Sequence, residues 1–301
     1  MSPATLLARI EESFDTLQSD LRNIPTRQIS LRVMFDNLWV RLSQAEQGVL
    51  QRLSVFTAII SFDAAFAVAH AKESDLQALQ GRLVLRKSND QGLTLHPAMR
   101  QYVFEKLAEK PEILRQTQHN YAQYYADFLS GRGTSLNGPK FRHSLDAIDS
   151  EIENIRSAFQ WAAQAKQYTL LETMLHPLAS YHLLLEKYEQ AEHLFAIVTQ
   201  TGFPPALHGW VSSYRVHFHL KLHRYPEMTS LSGEAENLLR TRHDQPGLCY
   251  LLRQKSDQVR VMFDSTPKAL LALEEALSIA KTIGDEDAIT DCYYRYGLTL
   301  N

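Results

Sequence analysis

The chain has 301 residues, 45% hydrophobic and 22% charged, with a formal charge of −3. That mixture belongs to a folded protein with room for two domains whose cores need no cross-links. Cys249 and Cys292 are the only cysteines, so a disulfide framework is excluded and a reducing compartment is implied. The opening MSPATLLARIEESF meets acidic residues too early for a signal peptide, and no apolar run is long enough to span a membrane. Residues 1–110 carry a net +1 and residues 111–301 a net −4, which disfavours nucleic acid as a partner. The expected setting is the cytoplasm, with no membrane contact.

Residues 5–20 read as a short helix with Leu6, Leu7, Ile10, Phe14 and Leu17 on one side, ended by a boundary at Pro25. LRVMFDNLWVRL places Leu31, Met34, Phe35, Leu38, Trp39 and Leu42 at helical spacing. Ser43 and Glu46 form a capping-box pattern that starts a helix running to Phe56. SFDAAFAVAH predicts another short helix, and Ser74 with Gln77 repeats the capping logic before LQALQGRL. VLRKSNDQGLTLH predicts two strands around an Asn89–Gly92 turn, with Leu83, Leu85, Leu93 and Leu95 facing inward. Pro97 then opens a helix that buries Met99, Tyr102, Val103 and Leu107.

Helices, a hairpin and a closing helix describe a winged helix. Such domains can set one helix in the major groove of DNA. Here that helix offers Gln77, Gln80 and Arg82, with Arg86 and Lys87 on the wing. Arg82, Arg86 and Lys87 are therefore the nucleic-acid-binding alternative. They make a thin surface for phosphate contacts, and a structural or protein-contact role is preferred.

PEILRQTQHNYAQYYADFLSG predicts a long helix whose Tyr121, Tyr124, Tyr125 and Phe128 are core or interface residues. GRGTSLNGP, residues 131–139, reads as a loop, and it lacks the phosphate-loop pattern because Pro139 separates Gly138 from Lys140. Beyond it the pattern is helical. Tyr188-x-x-Ala191-x-x-x-Phe195-x-x-Val198 aligns with Tyr225-x-x-Met228-x-x-x-Ser232-x-x-Ala235, 37 residues on. It aligns again with Thr266-x-x-Ala269-x-x-x-Leu273-x-x-Ala276, a further 41 on. Small and medium apolar residues at the third and tenth steps of each segment let one helix approach its partner. Tyr293-x-x-Tyr296-Gly297 fits the first helix of a tetratricopeptide repeat. Such pairs hide their faces only by stacking, which gives a solenoid with a binding surface for a protein or small effector. The expected fold is mainly α: a winged-helix domain with a small β-hairpin, then an α-solenoid of tetratricopeptide-like helix pairs. An apolar edge of Tyr293, Tyr296 and Leu300 would need a cap, a partner or more chain, so a piece of a longer protein is expected.

Residues 5–170 resemble the region after the nucleotide-binding core in signal-transduction ATPases with numerous domains, including LuxR-type and MalT-like regulators. The resemblance rests on LLARIEESFDTL, RQISLRVMFDNLWVRLSQAEQGVLQRLSVF, LTLHPAMRQYVFEKL and EIENIRSAFQWA, in that order. It implies a parent protein whose core binds ATP or ADP, with the winged helix packed over it. It further implies repeats that receive an effector and relay the signal through the winged helix. The family's Met-His-Asp-like histidine falls on His96, the single cofactor-binding candidate, and only with a nucleotide-binding domain present. Pro97 replaces the aspartate. The implied domains are 1–25, a tail of the upstream domain; 26–110, the winged helix; 111–145, a linker; and 146–301, repeats incomplete at the C-terminus. The upstream domain is an implied partner, and oligomers are allowed.

No catalytic residue and no metal site is assigned, and no cofactor is expected in this chain itself. His217, His219 and His223 lack an H-E-x-x-H pattern or a nearby cysteine and read as packing residues. Cys249 and Cys292 sit beside large apolar residues and read as buried, inert thiols. Glu274–Glu275 and Glu151–Glu153 suit solvated helix faces. The leading function is a non-enzymatic regulatory scaffold. Its alternatives are a DNA-binding regulator and a cryptic enzyme with no identifiable reaction.

Overall fold

The computed structural model describes residues 24–88, 92–133, 141–202, 204–263 and 266–300. The helix read over residues 5–20 and the tip of the hairpin turn lie outside them. The described residues divide into two compact units. One holds residues up to Phe128 together with Asp149–Ala158, and the other holds Leu129–Ile148 and everything from Phe159.

In the first unit, α1 (Ile24–Val40) starts earlier than its apolar pattern, so Pro25 occupies the first turn instead of a boundary ahead of it. Proline is tolerated there because its missing N–H would have no partner in the first turn. The capping box forms as expected at α2 (Gln44–Leu53). Glu46 N–H donates to Ser43 Oγ at 3.2 Å, and Ser43 N–H donates to Glu46 Oε2 at 2.7 Å. The short helix α3 (Phe62–Ala69) follows. At α4 (Glu73–Gly81) the cap differs from the reading: the helix begins one residue before Ser74, and Lys72 N–H donates to Asp75 Oδ2 at 2.9 Å. Asp75 is closer to the helix start than Gln77 and, as a carboxylate, is the stronger acceptor.

The hairpin pairs β1 (Leu85–Ser88) with β2 (Gly92–Leu95) in antiparallel register, Leu85 opposite Leu95. Ile60 adds a third extended segment, exchanging two backbone bonds of 2.8 Å with Leu93. Leu83 is not an inward strand residue. It ends α4 in the left-handed conformation (φ 60°), and Val84, Leu85 and Leu93 fill the core instead. The closing helix α5 (Pro97–Ala108) buries Met99, Tyr102, Val103 and Leu107 as spaced. Next, α6 (Pro111–Gly133) runs past Gly131, so residues 131–133 of the loop read over 131–139 are helical, and the rest of it lies outside the described residues. Its Tyr121 and Tyr125 are buried, with Tyr121 edge-on to Phe56 at 5.0 Å. The last of these helices, α7 (Phe141–Gln164), contributes residues to both units, as does α6.

The second unit is a run of packed helix pairs, the arrangement of a solenoid. Its members are α8 (Tyr168–Leu184), α9 (Tyr188–Thr199), α10 (Pro205–Lys221), α11 (Tyr225–Thr241), α12 (Gln245–Phe263), α13 (Thr266–Ile283) and α14 (Glu286–Leu300). Each packs on the next, and α8, α10, α12 and α14 also touch one another in succession. Nine of the twelve aligned positions are buried, and Tyr188, Tyr225 and Thr266, which open the three segments, are half-buried. Ala235 and Ala276 share one apolar core with Met228, Leu239, Leu252 and Cys292.

The turns between these helices repeat one device. Lys166, Glu186, His223 and His243 are left-handed, as is Gly284. In each, the following amide reaches back five residues to the helix, as Gln167 N–H does to the Ala162 carbonyl at 2.8 Å. This Schellman closure satisfies carbonyls left open at the helix end and turns the chain in two residues. Glu186 and His223 stand 37 residues apart, and His243 and Gly284 stand 41 apart, matching the sequence periods.

Candidate functional site

The first helices of the pairs, α8, α10, α12 and α14, share a continuous ladder of polar and aromatic side chains. Helical spacing creates it: Trp210, Tyr214 and His217 lie at i, i+4 and i+7 on α10, and Tyr250, Arg253 and Asp257 at i, i+3 and i+7 on α12. His176 Nδ1 of α8 meets the Tyr214 hydroxyl at 2.8 Å, and its ring stands edge-on to Trp210 at 4.5 Å. Trp210, Tyr214 and Tyr250 pack mutually, with Tyr214 and Tyr250 centroids 4.9 Å apart. His217 Nδ1 lies 2.7 Å from the Tyr250 hydroxyl.

The ladder then becomes ionic. The Arg253 guanidinium sits 5.6 Å from the Tyr250 ring and donates to Asp291 at 2.8 Å. Arg295 bridges Asp291 at 2.9 Å, Asp257, and the Arg253 carbonyl at 3.1 Å. Arg260 also reaches Asp257, at 3.7 Å, so three guanidiniums share two carboxylates. Burial pushes the His217 imidazole down to about 3, helped by the Arg295, Lys221 and Arg253 charges, and the ring is uncharged at neutral pH. Burial also lowers His176, against the opposing pull of Glu172 and Asp244. Tyr214 and Tyr250 are raised by burial and remain phenols. The groups satisfy one another, so the ladder fixes neighbouring first helices in register. Its open rim is apolar: Val261, Tyr294 and Leu298 are exposed.

Two further polar nodes stand apart from it. Between α9 and α10, Arg215 grips Glu192 through Nε at 3.0 Å and Nη2 at 2.6 Å, and His219 Nε2 lies 3.1 Å from the same carboxylate. Burial pushes the Glu192 carboxyl up, but His219 and Arg215 outweigh it and hold the group below its ordinary value. In the first unit, buried Asn154 of α7 clamps the segment that leads into Ile60. Its Oδ1 accepts from Thr57 N–H at 3.1 Å and Ala58 N–H at 3.2 Å, and its Nδ2 donates to the Ile59 carbonyl at 2.8 Å. Tyr121 and Tyr125 complete the node on Asn154 and Glu151.

Of the residues singled out from the sequence, His217 lies in the ladder and His219 beside Glu192, while the candidate binding residues fall elsewhere. His96 is the N-cap of α5, its Nδ1 accepting from Ala98 N–H at 3.2 Å. Arg82 donates to buried Glu46 at 2.8 Å. Arg86 and Lys87 are exposed on β1, on the opposite side of the strand pair from Leu85 in the case of Arg86. The three clustered histidines have three separate partners: His217 on Tyr250, His219 beside Glu192, and His223 on Tyr225 at 2.8 Å. Cys249 and Cys292 are buried in the α11–α14 core. Of the expected apolar edge, Tyr293 and Leu300 are exposed, whereas Tyr296 is half-buried against it. Among the described residues, no group of three or more His, Cys, Asp or Glu is placed to hold a metal, and no helix is long and apolar enough to cross a membrane.

No protein-family model matches the chain, and no curated protein does. A solved structure is a partial match. It is a signal transduction ATPase with numerous domains carrying a tetratricopeptide repeat sensor, from Pyrococcus horikoshii, at 14% identity and a TM-score of 0.44. The alignment covers 89% of this chain and 43% of that one, so the chain spans less than half its length. The likeness is distant and partial.

The ladder escaped the sequence reading because its contacts join residues 33 to 42 apart, as with His217 and Tyr250, or Arg295 and Arg253. The readable signal was the mixed aromatic and charged stripe on α10 and α12, a third face beyond the two apolar ones that packing requires.

Proposed function

We propose that the chain is the effector-sensing part of a signal-transduction regulator: the helix pairs bind a protein or small effector, and the winged-helix unit passes the event on. The observation that carries this is the ladder, because it ties four successive first helices into one face with an exposed apolar rim. A partner covering Val261, Tyr294 and Leu298 gains apolar burial. The relay would run through α7, whose Asn154 holds the Thr57–Ile59 segment feeding the wing. In a parent protein with a nucleotide-binding core and bound ATP or ADP, His96 would be the residue of this chain offered to the nucleotide.

Direct DNA reading gains no support from α4. Arg82 is committed to Glu46, and the first turn of that helix is acidic at Glu73 and Asp75. The test is capture of partners by the whole chain, followed by cross-linking to place them. Cross-links concentrated on α12 and α14, and capture lost with Tyr294→Glu plus Leu298→Glu, are the expected result. Capture indifferent to both substitutions would refute the reading.

A further inference from the structure

The two cysteines of the chain meet in space. Cys249 lies on α12 and Cys292 on α14, and both belong to the core shared by α11 to α14, with 1% and 0% exposure. The two helices touch as successive first helices. Their seam is fixed by Arg253, which donates to Asp291 at 2.8 Å, and by Arg295, which donates to the Arg253 carbonyl at 3.1 Å. Cys249 precedes Arg253 by four residues and Cys292 precedes Arg295 by three, so the pair sits one turn back at the same level of the seam. The thiols are hydrogen-bonded to each other, and Cys249 Sγ also donates to the Ala276 carbonyl of α13 at 3.4 Å. Cys249 therefore accepts from Cys292. That bond holds the Cys249 thiol down at about 7 against the opposing effect of burial, with help from the Arg253 charge. The same contact, together with burial, pushes Cys292 up. One sulfur that ionises readily thus lies against one that keeps its proton, as an attacking and a resolving thiol do.

We propose that Cys249 and Cys292 are a peroxide-responsive pair whose disulfide ties α12 to α14. Both sulfurs are shielded, so the oxidant is small and uncharged, hydrogen peroxide, entering as the seam opens locally. The Cys249 thiolate attacks one peroxide oxygen. An S–O bond forms, the O–O bond breaks, and the hydroxide released takes up the proton that Cys249 gave up. The Cys292 sulfur then attacks the sulfenic sulfur of Cys249. The S–S bond forms, the S–O bond breaks, and a second water leaves with the Cys292 proton. Two thiols are oxidised to one disulfide while one peroxide is reduced to two waters. The link joins the two helices that carry the ionic half of the ladder, one turn from the Arg253–Asp291 pair, and so fixes the register of that face. This holds whether or not the ladder binds an effector.

The test treats the folded whole chain with hydrogen peroxide, then denatures it, alkylates it with iodoacetamide, and reads its intact mass and tryptic peptides. A loss of two hydrogens, no alkylation, and peptides joined through Cys249 and Cys292 are expected. The Cys292→Ala chain, shown by circular dichroism to be folded, should stop at the sulfenic acid, captured on Cys249 by dimedone. The oxidised wild type should unfold at a higher urea midpoint than the reduced chain, because the link closes the loop between the two residues, and dithiothreitol should return the midpoint. Two alkylated cysteines after peroxide, a disulfide that forms only once urea has unfolded the chain, or a link between two chains overturns the proposal. So does a folded Cys292→Ala chain that dimedone leaves unlabelled, or an oxidised chain with a lowered midpoint.

Discussion

Replacing Asn154 with alanine removes the one side chain that satisfies three consecutive residues, Thr57, Ala58 and Ile59. Two amides and a carbonyl lose their partner. These groups are partly buried, so each loss costs about 1 kcal/mol, toward the lower end for an unsatisfied group. The loss of packing at a fully buried position adds roughly another 1 kcal/mol. The first unit should therefore be weakened by about 3 to 4 kcal/mol. With a urea dependence on the order of 1–3 kcal/mol/M, its midpoint should fall by about 1 to 4 M. The effect has an address as well as a size. Ile60 and Leu93 exchange backbone bonds just beyond the clamped segment, so their amides should lose hydrogen-exchange protection. Glu153→Ala, one residue away and on the exposed side, should stay within about 0.5 kcal/mol. A loss below about 1 kcal/mol, or unchanged exchange at Ile60, would refute the clamp.

Wild type should lose stability as pH falls below about 6.5. His217 stays neutral in the fold down to about 3, whereas the unfolded chain takes up the proton, so the loss is roughly 2 kcal/mol by pH 5. His217→Gln should flatten that slope in urea titrations at pH 7 and pH 5, and an unaltered slope counts against the assignment. Arg215→Ala should cost about 3 to 5 kcal/mol at pH 7 by stranding the Glu192 carboxylate. Because that carboxyl is held low, its contribution is complete above the ordinary carboxylate range and fades as pH falls through the folded value, so the gap between variant and wild type should narrow in acid. Gly92→Ala should cost at least about 3 kcal/mol, since its Cβ would stand 2.3 Å from the Ile60 carbonyl oxygen at a φ of 145°; a near-native melting temperature would contradict this. Lys166→Gly should raise stability by about 0.5 to 1 kcal/mol by relieving an exposed left-handed residue, and a lower urea midpoint would show the turn to be held otherwise.

Much of this was legible because it is local. The box at Ser43 and Glu46, Pro97 at a helix start, and the buried stripe of α5 all depend on residues within a turn or two of one another. The nine buried positions among those aligned were legible for a related reason, since a repeated packing problem leaves a repeated pattern of residue sizes. The misreadings lie at element ends. At Leu83, a left-handed turn closed by Val84 N–H to the Leu79 carbonyl outweighed the alternating leucines. At Pro25 and Gly131, helices continued through residues that usually interrupt them, because the first turn tolerates proline and exposed glycine costs a long helix only about 1 kcal/mol.

By itself, the sequence determined the order of elements: helices closed by a hairpin, then pairs of helices with small residues where they meet. It could do so because helical and strand periodicities are written in neighbouring residues. Which polar side chains come together was decided only by the tertiary structure. His176, Tyr214, Tyr250, Arg253 and Asp291 meet because successive first helices lie side by side, and Asn154 reaches Thr57 because α7 docks across the turn before Ile60. Those meetings depend on the angle and register at which whole helices pack, a sum over many side chains that no short stretch of chain encodes.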